Sequence, residues 1–415
     1  MSNNLPVDPE LDRLVRALNA SARSADRDPS AGAGAAPERP FPEPAAASRA
    51  DWSLPGPIPE AREGLARLLR RAREAVASDL LLVAGAPPAA RVNGRIVPLS
   101  DELLAPSDTA ALCAALVPRE RREGIARTGS VDFSFTVPQA GAFRCNVHRE
   151  RGHWSAAIRL FPLAAPELEQ LNLPPVLDRL ADLEHGLVLV TGPTGSGKTT
   201  TLAALMKRIL ARRSVHVITI EDPVEYEHPH GASLVEHVEI GRDATSFAQA
   251  LRAALRQNPD VLLVGEMRDR ESISITVTAA ETGHLVLSTL HTGDAPQTVS
   301  RILDTYPAGQ LEAVRAQLAA SLAAVVSQQL LPRPDGQGRV PAVELLWGTH
   351  GVRNLIRQGK LERLRAQISL EQASGMLSLD QSLAQLAASG LVGREEAQSR
   401  ARDPKEFEAL LRKSR

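Results

Sequence analysis

The run Gly192-Pro193-Thr194-Gly195-Ser196-Gly197-Lys198-Thr199 matches G-x-x-x-x-G-K-[ST] at every fixed position. No other stretch narrows the possible folds as much. Glycines let successive backbone N–H groups turn inward around phosphate oxygens, and a helix starting at Lys198 adds the positive end of its dipole. On this reading Lys198 reaches the β- and γ-phosphates, Thr199 offers its hydroxyl to Mg²⁺, and Thr200 completes the binding set. That chemistry needs a strand before the loop and a helix after it. Residues 187–190 are wholly apolar and 202–210 are good helix formers, so both flanks are present. The alternative is a glycine-rich turn that binds nothing.

Downstream, short apolar runs at 215–220, 261–264 and 285–287 alternate with helical segments. This pattern predicts a largely parallel sheet covered on both faces, an α/β domain. Beyond Pro296 the chain reads as mainly helical, with one strand at 340–347. Carboxylates at strand ends can hold Mg²⁺ and orient an attacking water. Glu221 and Asp222 end one apolar run, and Glu266 ends another in the position of a Walker B acid. The plainer reading is a pair of ordinary charged strand ends. His284 and His291 flank the run 285–290, with His291 at the C-terminal end, where open α/β sheets place ligands. His291 is either a γ-phosphate contact or a satisfied hydrogen-bonding residue.

Before this domain lies a smaller α+β unit. Leu65, Leu68, Leu69, Ala72 and Val76 follow a helical period. Residues 79–83 read as a strand, and Asn93-Gly94 within 91–97 as a hairpin turn. The spacing predicts a helix over 109–125, then alternating strands up to about residue 160. Residues 1–59 are rich in Ala, Pro, Arg and Ser and are expected to form a disordered extension. Leu11, Leu14, Val15 and Leu18 within 9–23 fit either a frayed tail or a short helix formed on a partner. The expected division is therefore 1–59, 60–166, 167–348 and a helical 349–415.

Composition excludes several classes. The net charge is -1 and aromatics make up 3%, which argues against a nucleic-acid translocase with stacking platforms. The two cysteines, Cys113 and Cys145, fall short of a four-ligand structural zinc site and read as reduced core thiols. No run reaches the ~18 apolar residues of a membrane span. The longest, 318–331, is interrupted by Ser321, Ser327, Gln328 and Gln329. The polar N-terminus lacks a signal-peptide pattern, so any membrane role is expected to be peripheral.

Three further motifs carry a resemblance. Residues 219–225 (TIEDPVE) resemble the aspartate box of type II/IV secretion ATPases. Residues 256–260 and 265–269 resemble their Walker B box, and 281–284 with 289–292 their histidine box. Within that family, residues 77–80, 86–88, 351–357 and 379–383 are similar to pilus retraction ATPases, the PilT type. Assembly and type II secretion ATPases usually carry a four-cysteine zinc element, which this chain lacks. The resemblance covers roughly residues 60–404. It implies a PAS-like N-terminal domain, a RecA-like motor domain and a helical C-terminal region. It also implies a cytoplasmic homohexamer, peripheral at the inner membrane, that hydrolyses ATP with Mg²⁺. The implied partners are the pilus machinery and its inner-membrane platform protein.

In the family, arginines of the N-terminal domain approach the phosphates; the matching positions are Arg144, Arg149 and Arg159. Read from the residues alone, these arginines are the solvated face of a basic hairpin. The implied catalytic set is Glu221, Glu266, His291, Arg144 and Arg159, with Thr199 and Glu266 toward the metal. Arg353 and Arg357, spaced i, i+4 in the 351–357 motif, are expected on one helix face that transmits force or meets the pilus base. The chain departs from the family at Leu81, often His, and Gln358, commonly Glu, and in its N-terminal extension. Alternatives within the class are an accessory retraction motor or another secretion ATPase. Outside it stands a non-hydrolysing, nucleotide-gated structural subunit.

Overall fold

Proline and glycine punctuation decides where the first elements begin and end. The structure, a computed structural model, describes residues 58–413 except 138–139 and 337, together with 54 and 56. The helix expected at 9–23 lies outside the described residues, as does nearly all of the expected extension. Contacts divide the chain into two units at Leu163 and Ala164.

In the first unit, α1 (Pro59–Glu74) buries Leu65, Leu68, Leu69 and Ala72. Val76 does not join them, although its spacing fits. The helix has ended, Val76 takes φ 53°, and it is 83% exposed. Strands β1 (Asp79–Leu82), β2 (Ala89–Val92) and β3 (Arg95–Pro98) follow, with Asn93 and Gly94 both at positive φ in the hairpin. The single helix expected over 109–125 is instead two, α2 (Pro106–Leu116) and α3 (Arg122–Thr128), separated by a turn of 3₁₀ helix. Pro118 is the cause: it forces Val117 into an extended conformation and cannot donate to the helical ladder. Strands β4 (Ser130–Val137), β5 (Gly141–Glu150) and β6 (His153–Leu160) complete an antiparallel sheet in the order β3-β2-β1-β6-β5-β4. Phe143, Leu80 and Ile158 lie in its core with the free thiols Cys113 and Cys145. Burial pushes the Cys113 thiol up to about 12, so it behaves as a small hydrophobe.

The second unit is built on seven strands in the order β13-β12-β7-β11-β10-β8-β9. Strands β7 (Gly186–Thr191), β8 (His216–Glu221), β10 (Val261–Val264) and β11 (Leu285–Leu290) are the expected apolar runs, and they pair in parallel. Helix α4 (Lys198–Arg212) follows the glycine-rich loop. Helices α5 (Phe247–Ala254), α6 (Arg270–Glu281), α7 (Ala295–Leu303) and α8 (Leu311–Ser321) add the apolar faces that close the core. Two strands escape the periodicity argument. One is β9 (Leu234–Glu239), an edge strand whose charged residues hide its pattern. The other is β12 (Leu322–Pro332), which corrects the expectation of a nearly all-helical region beyond Pro296. Its alanines and leucines read equally as helix. Val325 and Val326 are buried between β7 and β13 (Arg339–Trp347), and that pairing outweighs local preference.

The chain finishes with α9 (His350–Arg357), α10 (Leu364–Leu370), α11 (Leu379–Ala388), α12 (Arg394–Arg400) and α13 (Pro404–Lys413). Phe407, Leu411 and Leu383 pack on Leu331, Val340 and Ala342 from the β12–β13 hairpin. None of the helices among the described residues is long and apolar enough to cross a membrane.

One tight approach tests this packing. A Cβ on Gly348 would lie 2.0 Å from the Leu322 carbonyl oxygen, where β12 begins. Backbone cannot rotate away as a side chain does. Gly348→Ala is expected to cost about 2 kcal/mol, within the range for overpacking, and to lower the melting temperature by several degrees. Gly309→Ala, in open space, serves as the control and should melt with the wild type.

Candidate functional site

The loop from Gly192 to Gly197 leaves β7 at its C-terminal end and runs directly into α4. Gly192, Gly195 and Gly197 have φ of 146°, 76° and 89°, a backbone that only glycine adopts without strain. Contact also requires glycine at both ends of the loop. A Cβ on Gly192 would fall 2.2 Å from Gln328 O, and one on Gly197 would fall 2.7 Å from Gln328 Nε2. Lys198 is 8% exposed, and its Nζ donates to Gly192 O at 2.9 Å and Pro193 O at 3.1 Å. Burial lowers its pKa, and the charges of Glu266 and Glu225 oppose that shift. Ser196 Oγ is buried with no hydrogen-bond partner among the described residues. Such a group is normally satisfied, so the loop holds a donor free for an incoming acceptor.

Gln328 is the residue that the sequence reading missed. It sits on β12, in register beside the end of β7, where Ser327 pairs with Thr191. Its Nε2 donates to Ser196 O at 2.6 Å, and its Oε1 accepts from Thr201 Oγ1 at 2.9 Å. One buried amide thus ties the loop to the first turn of α4. The visible sign was a polar pair, Gln328-Gln329, interrupting an apolar run. That sign has meaning only once β12 is known to be a strand. Tyr226 adds a second tie, donating from its hydroxyl to Thr200 Oγ1 at 3.2 Å.

Neighbouring strands bring the acids to the same edge. Val264 pairs with Ile220 on one side and Ser288 on the other, so Glu221, Gly265-Glu266 and Leu290-His291 emerge together. Glu221 is 6% exposed, and burial pushes its carboxyl up to about 8, with the charges of Glu225 and Glu239 adding to the shift and a hydrogen bond with Thr219 opposing it. Glu266 is more open. It pairs with Arg268 and stands 3.7 Å from His291 Nε2. Arg268 also reaches Asp222 at 3.3 Å, bridging two of the strand-end acids. His284 lies at the opposite end of β11, where its Nδ1 meets Ala279 O at 2.9 Å. Its role there is local.

In the first unit, Arg144 and Arg159 face each other across β5 and β6. Both are exposed. Arg159 pairs with Asp79 at 3.4 Å, while Arg144 makes no ion pair among the described residues. Arg149 instead lies over the Trp154 ring, 4.8 Å from its centroid. In α9, Val352 and Ile356 are buried. Its two arginines differ: Arg353 Nε donates to Gly348 O at 2.7 Å, and Arg357 is exposed.

A parallel sheet, a glycine loop opening a helix and acids at the adjoining strand ends define the class: a RecA-like P-loop fold. The model of the family described as "Type II/IV secretion system protein" matches residues 154–385. The chain is 42% identical to the type IV pilus retractation ATPase PilT of Pseudomonas aeruginosa, over 80% of this chain and 96% of that one. It is also 42% identical to a twitching motility protein of Neisseria gonorrhoeae, over 81% and 90%. The crystal structure of the pilus retraction motor PilT with bound ADP superposes with a TM-score of 0.77, at 45% identity, covering 83% of this chain and 98% of that one. The chain belongs to the type II/IV secretion ATPase family. With the fold come a RecA-like ATPase domain and a helical C-terminal region.

Two outcomes are expected. Gln328→Ala removes the amide's bonds to Ser196 O and Thr201 Oγ1 and should weaken ADP binding about tenfold, the loss of roughly one net hydrogen bond to an ordered loop. Isothermal titration of the purified variant reads this directly, and unchanged affinity would discard the clamp. Glu221 gives a pH signature. Its folded-state value, about 8, lies above the ordinary 4.5. The stability it contributes is therefore full below 4.5 and is lost as pH rises through about 8. Glu221→Gln mimics the protonated acid, so its melting temperature minus that of the wild type should increase from pH 5 and level off above about pH 8.

Proposed function

We propose that this chain hydrolyses ATP as a ring-shaped homohexamer and converts the turnover into retraction of a type IV pilus. The observation that carries the reading is the convergence of Lys198, Glu221, Glu266 and His291 at the C-terminal edge of one parallel sheet, in a chain 42% identical to a pilus retraction ATPase. A non-hydrolysing subunit has no need of two carboxylates beside a phosphate loop.

The loop Gly192-Pro193-Thr194-Gly195-Ser196-Gly197 supplies inward N–H groups for the β-phosphate. Lys198 exchanges its two loop carbonyls for phosphate oxygens. The Thr199 hydroxyl and the Glu266 carboxylate are the residues that would hold Mg²⁺, and Thr200 borders the same space. Bound there, Mg²⁺ neutralises charge on the phosphates. Glu221 is the residue placed to accept a proton from the attacking water. Burial raises its pKa to about 8, so its carboxylate, where ionised, is a stronger base than an ordinary one. His291, beside Glu266, is placed to respond to the γ-phosphate. Arg144 and Arg159 take the part of charge-stabilising arginines in the assembled ring. Arg357, exposed on α9, is the better of its two arginines for contact with the inner-membrane platform protein, since Arg353 already donates to Gly348 O. This reading makes the protein cytoplasmic and peripheral at the inner membrane.

The test combines chemistry and cells. Lys198→Ala should abolish turnover and leave the fold, because the ammonium contacts loop carbonyls rather than core. Glu266→Gln should bind ATP and hydrolyse it at least about a hundredfold more slowly, the scale of losing one electrostatic stabiliser. Deleting the gene should leave surface pili in excess and abolish twitching, and neither variant should restore it. Loss of pili on deletion would instead make the protein an assembly motor.

A further inference from the structure

A second set of charges lies close to the candidate site but outside it. Asp294 is 2% exposed, Glu344 2% and Asp380 6%. Isolated carboxylates are rarely so buried, and here each has a stated partner. Asp294 caps α7, accepting from Gln297 N at 2.8 Å. Glu344, on β13, accepts from Ala295 N at 2.9 Å. Two acids therefore hold the same helix start from two directions.

Their counter-charges come from far along the chain. Arg365 on α10 meets Asp294 at 2.7 Å. Arg402, between α12 and α13, pairs with Glu344, lies 3.6 Å from Asp294 and donates to Gly293 O at 3.2 Å. Asp380 on α11 fixes that segment by accepting from Arg402 N at 2.7 Å and Asp403 N at 3.1 Å. The loop held in this way begins at His291, three residues before Asp294. It continues through Thr292, whose hydroxyl meets Thr298 Oγ1 at 2.7 Å. Thr298 Oγ1 in turn donates to Asp294 O at 2.7 Å and stands 3.5 Å from Thr191 Oγ1, the last side chain before the phosphate loop.

We propose that Arg402, seconded by Arg365, is a positioning residue for the nucleotide site: docking of the C-terminal helices, through Glu344 and Asp294, sets the loop that carries His291. The inference rests on the ATPase reading above and extends it to regulation, since hydrolysis then depends on the seating of a region far along the chain from the phosphate loop. A guanidinium held by two acids and a carbonyl is directional, so displacing the C-terminal helices pulls on residues 293–295. Coupling then travels through a chain of named contacts with defined partners.

The test must separate positioning from folding. Arg402→Ala alone leaves Glu344 buried and unpaired, so the informative variant is Glu344→Gln with Arg402→Met, which removes both charges and keeps the volume. This double variant is expected to lose about tenfold in turnover while its ADP affinity stays within about twofold of wild type. Arg402→Lys, which keeps the charge and loses the fork, should fall between. Amide exchange at residues 292–297 should rise in the double variant, with β7 and β11 unchanged. Wild-type turnover in the double variant overturns the proposal, and so does ADP affinity that falls in parallel with turnover. The exchange measurement does not depend on hydrolysis, so unchanged protection at 292–297 overturns the proposal on its own. Absence of turnover in the wild type counts instead against the ATPase reading.

Discussion

Everything at the candidate site depends on the pairing of β7 with a parallel neighbour on each side. On one flank, Thr191 stands opposite Leu290; on the other, it stands opposite Ser327. Because side chains alternate along a strand, a slip of one residue would turn every group to the other face. Gln328 would then leave the loop, and a slip of β11 against β10 would likewise carry His291 away from Glu266. The strands resist such a slip because they are buried on both faces, so register is held by packing over their whole length.

The same pairing explains what was legible beforehand and what was not. The phosphate loop, the acids and His291 are local signals, each a few residues at a strand end, and they carry their meaning in order along the chain. Four parallel strands could be read because covered strands are short and wholly apolar. β12 could not, since Leu322, Ala323, Ala324 and the residues before them suit a helix just as well. Its identity is decided by β7 and β13, which are distant in sequence. Gln328 was lost with it. β9 was lost for the opposite reason: as an edge strand it carries glutamates that conceal its alternation. The helix broken at Pro118 is a plainer lesson, because proline punctuation outranked an apolar period.

Charge shows a similar division. Arg144 and Arg159 stand out only through resemblance to a family, because two exposed arginines on adjacent strands resemble any solvated hairpin. The buried acids Asp294 and Glu344 were invisible to sequence reading. Their partners lie between 58 and 108 residues away, counting 402 minus 344 and 402 minus 294. Long-range ion pairs of this kind are specified by the completed fold. They reward its completion with directional contacts, and the desolvation they require keeps them from forming in partly assembled states.

The outer strand β9 has a consequence for handling of the protein at high concentration. A parallel sheet that ends in an unpaired strand offers a row of free amides to any other chain, which is the usual beginning of irregular aggregation. Here that strand is six residues long, carries Glu236 and Glu239, and has Glu236 engaged by His216 at 2.8 Å. Short length discourages strand-to-strand growth along this side, as do edge amides already engaged where Val235 N donates to His230 Nδ1 at 3.2 Å and Glu239 N to Asp243 Oδ2 at 2.9 Å. Neighbouring copies of the chain can then lie side by side while their sheets stay separate.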